Sequence, residues 1–287
     1  MVENVDIKHE HRRWVAPEMK PGIYNNISNE DYHRKIGLSK SGLVNFAKSP
    51  EYYQWRLMNP TPSTPAMKLG THAHTRILEP TRHREIYISA PEGLKKTARK
   101  KWAEFEKDHP GKNVVTFEEL EMVNAMAESV AKSETASTLL SGGKAESSVF
   151  WNDHHGNLCK CRPDYLNPKY EVIVDLKTTN DVSPEAFSKS VANFKYHFQA
   201  VHYLAGCNAV MPDQYGAFIF VCVENKPPHP VAIYVLDQEA LNLAEVEMES
   251  LLSSYAQCME SDTWEGLPDE VEVISLPGWA KNRVLFN

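Results

Sequence analysis

The sequence lacks any apolar run approaching the length of a membrane span, and its first residues, Met1 to His11, are charged rather than hydrophobic. A spanning helix needs about 20 predominantly apolar residues, so the expectation is a soluble, cytoplasmic chain with no membrane partner. A disulfide framework is missing too. The five cysteines, Cys159, Cys161, Cys207, Cys222 and Cys258, form an odd set without paired spacing, which suits free thiols in a reducing compartment. Nor is there a basic excess: the formal net charge is −7. Nonspecific grip on nucleic acid comes largely from neutralised phosphates, so a broad basic binding surface is disfavoured. Contact with DNA then requires cations concentrated in a groove, with Arg56, Lys68, Arg76, Lys95, Lys96, Arg99, Lys100 and Lys101 as candidates. The run 95–101 reads better as a solvated helical face. No internal repeat or low-complexity tract is visible.

What is present is 287 residues at 42% apolar content, enough for a sizeable core. Residues 1–20 read as a polar leader and 21–287 as a single domain. Ser39 or Ser41 offers a cap for a helix through Leu43, Val44, Phe46 and Ala47, ending at Ser49-Pro50. Further helices are expected over 51–58 and 66–78, separated by a proline-rich linker, and residues 81–116 give no clear pattern. A long helix is expected over 117–140, then strands at 147–151, 158–166 and 171–178 forming a three-strand meander. Helices at 184–191 and 195–208, strands at 217–223 and 231–236, a helix over 238–259 and an extended tail complete the pattern. The fold class is α/β, a mixed central sheet flanked by helices.

Within the meander, Cys161-Arg162-Pro163-Asp164 is followed after ten residues by Asp175-Leu176-Lys177. Strand side chains alternate, so Asp175 and Lys177 share a face while Leu176 points into a core. Asp164 returns across a hairpin toward them. Two carboxylates converging beside an ammonium call for a cation, and the economical reading is a Mg²⁺ site for phosphodiester hydrolysis.

Other residues suit the same site. Glu146 opens the first meander strand and supplies a third carboxylate, with a solvated strand end as the equal alternative. His74 lies on the 66–78 helix one turn after Gly70, which permits close approach of another backbone. Mg²⁺ prefers oxygen ligands and Mn²⁺ accepts an imidazole nitrogen more readily, so Mn²⁺ is the alternative ion. Gln199 and Tyr203 lie four apart on one helical face, placed to bond a phosphate or a water, or else form a polar helix edge. Cys159 and Cys161 after His154-His155 suggest zinc only superficially. Both cysteines would lie on one side of a strand beside a tight turn, no second ligand pair has zinc spacing, and buried thiols are the favoured reading.

Taken together, Leu69-Gly70-Thr71 with His74 and Leu78-Glu79-Pro80, Ala145-Glu146-Ser147-Ser148, Cys159 to Asp164, and Asp175-Leu176-Lys177-Thr178-Thr179 resemble the nuclease domain of exonuclease VIII, the RecE-type phage recombination exonuclease of the PD-(D/E)xK superfamily. The resemblance runs from Gly22-Ile23-Tyr24 to Ser275-Leu276-Pro277-Gly278-Trp279-Ala280-Lys281. It implies a restriction-endonuclease-like core and a Mg²⁺-dependent exonuclease that degrades the 5′-ended strand of linear duplex DNA, leaving 3′ overhangs. By the same resemblance His74, Asp164, Asp175 and the Leu176 carbonyl hold metal, Lys177 positions and activates water, and Gln199 with Tyr203 completes the site. Glu146 matches an acidic position of the family, and Ser39, Ser41 and Arg162 match places that hold the 5′ phosphate. The implied partners are double-stranded DNA ends, a RecT-like single-strand annealing protein, and further copies of the chain in a closed ring. Two other readings compete: an iron-sulfur nuclease of the Cas4 or helicase-associated type, disfavoured because only Cys258 lies near the end, and a non-cleaving scaffold, disfavoured by the retention of Asp164, Asp175 and Lys177.

Overall fold

A computed structural model describes residues 19–212 and 214–276. Most of the expected leader, and the closing match at 277–281, therefore lie outside the described residues. Hydroxyl and carboxylate caps start most of the longer helices, as the sequence signals imply. After β1 (Gly22–Tyr24) and α1 (Asn29–Arg34), Ser39 caps α2 (Lys40–Phe46) and Ser49 caps α3 (Pro50–Met58). Thr64 caps α4 (Pro65–Leu78), with proline at the first helical position, where its missing N–H costs nothing. Then come α5 (Pro80–Ile86), β2 (Tyr87–Ser89), α6 (Arg99–Asp108) and β3 (Asn113–Val115), which order the stretch that gave no pattern. Thr116 and Glu119 close a reciprocal capping box on α7 (Phe117–Lys132).

The helix expected over 117–140 is two helices. Ser133 ends α7 and caps α8 (Glu134–Leu139), its hydroxyl accepting from the Ala136 N–H. The meander is also divided. β4 (Lys144–Ala145), β7 (Tyr165–Asn167) and β8 (Val172–Thr179) belong to one sheet, whereas β5 (Ser148–Asn152) and β6 (Leu158–Cys161) join β1 in another, in the order β1-β5-β6. The strand expected over 158–166 breaks at Arg162-Pro163-Asp164, because proline cannot donate to a ladder.

After β8 the chain forms α9 (Pro184–Asn193) and α10 (Tyr196–Val210), then β9 (Ala217–Glu224), β10 (Val231–Tyr234) and α11 (Gln238–Ser261). The principal sheet has the order β10-β9-β8-β7-β4; β8 and β9 run parallel, joined through α9 and α10, and the other pairs are antiparallel. It is the mixed sheet that the sequence implied, and helices cover both faces. On one side Val174, Leu176, Val221 and Val223 pack with Ala73 of α4 and Val123, Met126 and Val130 of α7. On the other, Ile173, Phe218, Phe220 and Cys222 pack with Phe187, Phe198 and Met248 of α9, α10 and α11. All five cysteines are free thiols, four of them buried. Among the described residues no helix is long and apolar enough to cross a membrane.

Candidate active site

The charged residues meet where the chain changes sheets. β4 leaves the principal sheet for β5 through Glu146, and β6 returns to it through Asp164. At this crossing the Glu146 N–H donates to the Asp164 carbonyl at 3.0 Å. Glu146 has a φ of 55°, a left-handed backbone that is uncommon outside glycine and turns its side chain toward the seam. On β8, Leu176 packs into the core beside α4 and α7, and Asp175 and Lys177 take the opposite face, as period-two alternation requires. The Leu176 N–H donates to Asp164 Oδ2 at 2.8 Å, which fixes the returning acid against the strand.

Asp175 is only 1% exposed, so its charge has to be compensated within the protein. Lys177 Nζ forms an ion pair with Asp175 Oδ2. Gln199 on α10 bridges the two: its Nε2 donates to Asp175 Oδ1 at 2.5 Å and its Oε1 accepts from Lys177 Nζ at 3.2 Å. Asp175 Oδ2 touches the ammonium but has no well-aligned hydrogen bond, which leaves a buried oxygen with spare coordinating capacity. Burial opposes the charge on Lys177, but Asp175 and Asp164 outweigh it and hold the ammonium above its ordinary value. The same ammonium lies 4.6 Å from the centre of the Tyr196 ring.

Asp164, Glu146 and His74 form the other half. His74 Nδ1 is 3.4 Å from Asp164 Oδ2, and each of the three residues offers a ligand atom within 4.8 Å of the others. Burial, and then the charge of Asp175, push the Asp164 carboxyl well above the usual carboxylate range, against the pull of Lys177. Burial likewise lowers His74, keeping its imidazole neutral and its lone pair available. The buried Asp164 carboxyl, a neutral imidazole at His74, the Glu146 carboxylate and the buried Asp175 oxygen beside them together fit a divalent cation, and the mixed oxygen and nitrogen donors suit Mg²⁺ or Mn²⁺.

The other expected residues fall into two groups. Arg162 enters the seam but is held there: its Nε donates to Glu146 at 2.8 Å, and its Nη1 donates to Ser148 Oγ and, at 3.1 Å, to the Ile27 carbonyl. Ser39 Oγ caps α2 through the Gly42 N–H at 3.1 Å and lies 3.0 Å from Ser41 Oγ. Tyr203 shares the face of Gln199 yet makes no hydrogen bond among the described residues, and its ring meets Phe218 edge-on at 5.9 Å. Gly70 is not forced by a close backbone: a Cβ there would meet only Thr178 Oγ1, at an ordinary 3.5 Å.

Two residues absent from the sequence reading stand beside the pair. Lys40 Nζ donates to the Phe194 carbonyl at 2.5 Å and lies 5.6 Å from the centre of the Tyr196 ring, so one ring has both Lys40 and Lys177 close to it. Burial, and then the Lys177 charge, push Lys40 down to about 8. The available signal was a lysine in the first turn of a helix, where the macrodipole disfavours a cation.

Residues 39–277 match a family model described as "PDDEXK-like domain of unknown function (DUF3799)". Among solved structures, a "Putative exonuclease" from Eubacterium rectale superposes with a TM-score of 0.58 at 13% identity, covering 94% of this chain and 100% of its own. At that identity the likeness concerns the fold. A structure named SSO0001 reaches a TM-score of 0.27 at 16% identity over 62% of this chain and 73% of its own, too low to bear on the architecture. No curated protein matches the sequence.

Proposed function

The chain belongs to this PDDEXK-like family, and from that premise we propose that it is a divalent-metal-dependent exodeoxyribonuclease that degrades the 5′-ended strand of linear duplex DNA. The observation that carries the reading is the gathering of His74, Glu146 and Asp164 within 4.8 Å of one another, beside the buried Asp175–Lys177 pair. His74, Asp164 and Asp175, with Glu146 as a third carboxylate and the Leu176 carbonyl alongside, would hold the ion. When bound, that ion supplies an acidified water and neutralises charge developing on the phosphate.

The protein's own groups do the rest. Lys177, kept charged by two acids, orients the attacking water and donates to a phosphate oxygen. Gln199 fixes Lys177 and Asp175 relative to each other, so the ammonium is held in place before substrate arrives. Lys40 adds a second cation beside Tyr196. Arg162 holds Glu146 in the seam and, with Ser39 and Ser41, lines the approach for a 5′ phosphate. The polarity, the 3′ overhang, the ring and a RecT-like annealing partner rest on the sequence resemblance to exonuclease VIII.

The test is digestion of 5′-labelled linear duplex with Mg²⁺ by the native protein and by Asp175→Asn and Lys177→Met, with thermal melts to establish folding. Each substitution is expected to lower the rate on the order of 100-fold or more. Full activity in either folded variant overturns the assignment.

A further inference from the structure

The turn between β5 and β6 carries two histidines that the nuclease chemistry leaves unused. In it Asp153 Oδ1 accepts from the His155 N–H at 2.9 Å and the Asn157 N–H at 2.8 Å, and Gly156 supplies a φ of 83°. Asn157 Nδ2 donates to Asp153 Oδ2 at 2.8 Å and to the Leu252 carbonyl of α11 at 3.0 Å, so the turn is pinned to that helix. One turn before Leu252, Glu249 presents its carboxylate to the histidines. Glu249 Oε1 lies 2.9 Å from His154 Nε2 and 2.9 Å from His155 Nε2.

We propose that His154, His155 and Glu249 form a second metal site, separate from the catalytic cleft, that takes a borderline transition ion such as Zn²⁺ and fastens the β5–β6 turn to α11. The three donor atoms lie within 4.8 Å of one another. Zinc bonds to nitrogen and carboxylate oxygen run about 2.0–2.2 Å, so adjacent donors around the ion stand roughly 3.0–3.5 Å apart. The present 2.9 Å separations need only a small expansion. Two imidazoles with one carboxylate favour Zn²⁺, Co²⁺ or Ni²⁺ over Mg²⁺, which prefers an all-oxygen shell. Because the turn is locked by Asp153 and Asn157, little ordering remains to oppose binding.

The zinc-like pattern in the sequence thus has the right histidines and the wrong partners. Cys159 and Cys161 are buried and their thiols are pushed up by that burial, whereas Glu249 arrives from a distant helix.

Titration with Co²⁺ under saturating Mg²⁺, followed by visible absorption and by thermal melting, tests the site. The native protein and Asp164→Asn are expected to bind one equivalent and melt at higher temperature with the ion. His154→Ala and Glu249→Gln, at side chains 64% and 52% exposed and therefore neutral for folding, are expected to lose both effects. Undiminished binding in those two variants, loss of binding in Asp164→Asn, or no binding in the native protein overturns the proposal.

Discussion

At Asp164 the fold holds an acid in surroundings that make it costly to ionise. Burial and the neighbouring Asp175 raise its proton affinity, so protons compete for the same oxygens at a higher pH than at an ordinary aspartate. Metal affinity at the cleft is therefore expected to fall as the pH drops from neutral through that raised value. Calorimetric Mn²⁺ titration at neutral and mildly acidic pH checks this, and a flat profile counts against a carboxylate-rich centre. Arg162 carries a second prediction. Its side chain and that of Glu146 are 8% and 20% exposed, and removing one member of a buried ion pair leaves the other uncompensated. Arg162→Ala is expected to cost about 3 kcal/mol in urea unfolding, with much of the loss recovered in Arg162→Ala/Glu146→Gln. An unchanged preference for 5′-phosphorylated ends in folded Arg162→Ala would reduce Arg162 to a clamp on Glu146.

Elements that announce themselves locally were legible in the sequence. Ser39 marks a helix start through the capping bond, and the alternation of Val174, Asp175, Leu176 and Lys177 fixes both the strand and its buried face. The break at Ser133 was hidden because Val130, Ala136 and Leu139 continue one apolar stripe across it. β1, β2 and β3 are three residues each and gain their identity only from distant partners, which no local window contains. Helix α10 gives a case in which propensity and packing disagree in sign. In an exposed helix Gly→Ala gains about 1 kcal/mol, but a Cβ on Gly206 would stand 2.4 Å from the buried Trp151 ring. Gly206→Ala is therefore expected to destabilise by about 1–3 kcal/mol, the range for overpacking. Chemical denaturation decides between the two, and because α10 also carries Gln199, nuclease activity should fall with stability.

Across the whole molecule, the site was legible in proportion to how local it is. Asp164, Asp175 and Lys177 could be read from one hairpin, whereas His74 and Glu146 are brought in by α4 and by the change of sheet, so the sequence offered them only as candidate ligands beside bland alternatives and the family resemblance gave them their place in the site. Lys40 is brought in from α2 and had no motif to mark it. The net charge of −7 is a property of the whole chain and sets a last requirement. Affinity built on phosphate neutralisation falls steeply as salt rises, and an open acidic monomer begins with little of it. If the proposed exonuclease degrades a long duplex continuously, it needs retention by another means, and the ring implied by the resemblance would provide it without broad basic surface. Light scattering is expected to return a mass several times that of one chain. Digestion should continue on the first-bound duplex when excess unlabelled ends are added at about physiological ionic strength. A monomer that exchanges substrate after each short excision would leave the acidic chain holding DNA through Lys40, Arg162 and the metal alone, and the ring would have to be abandoned.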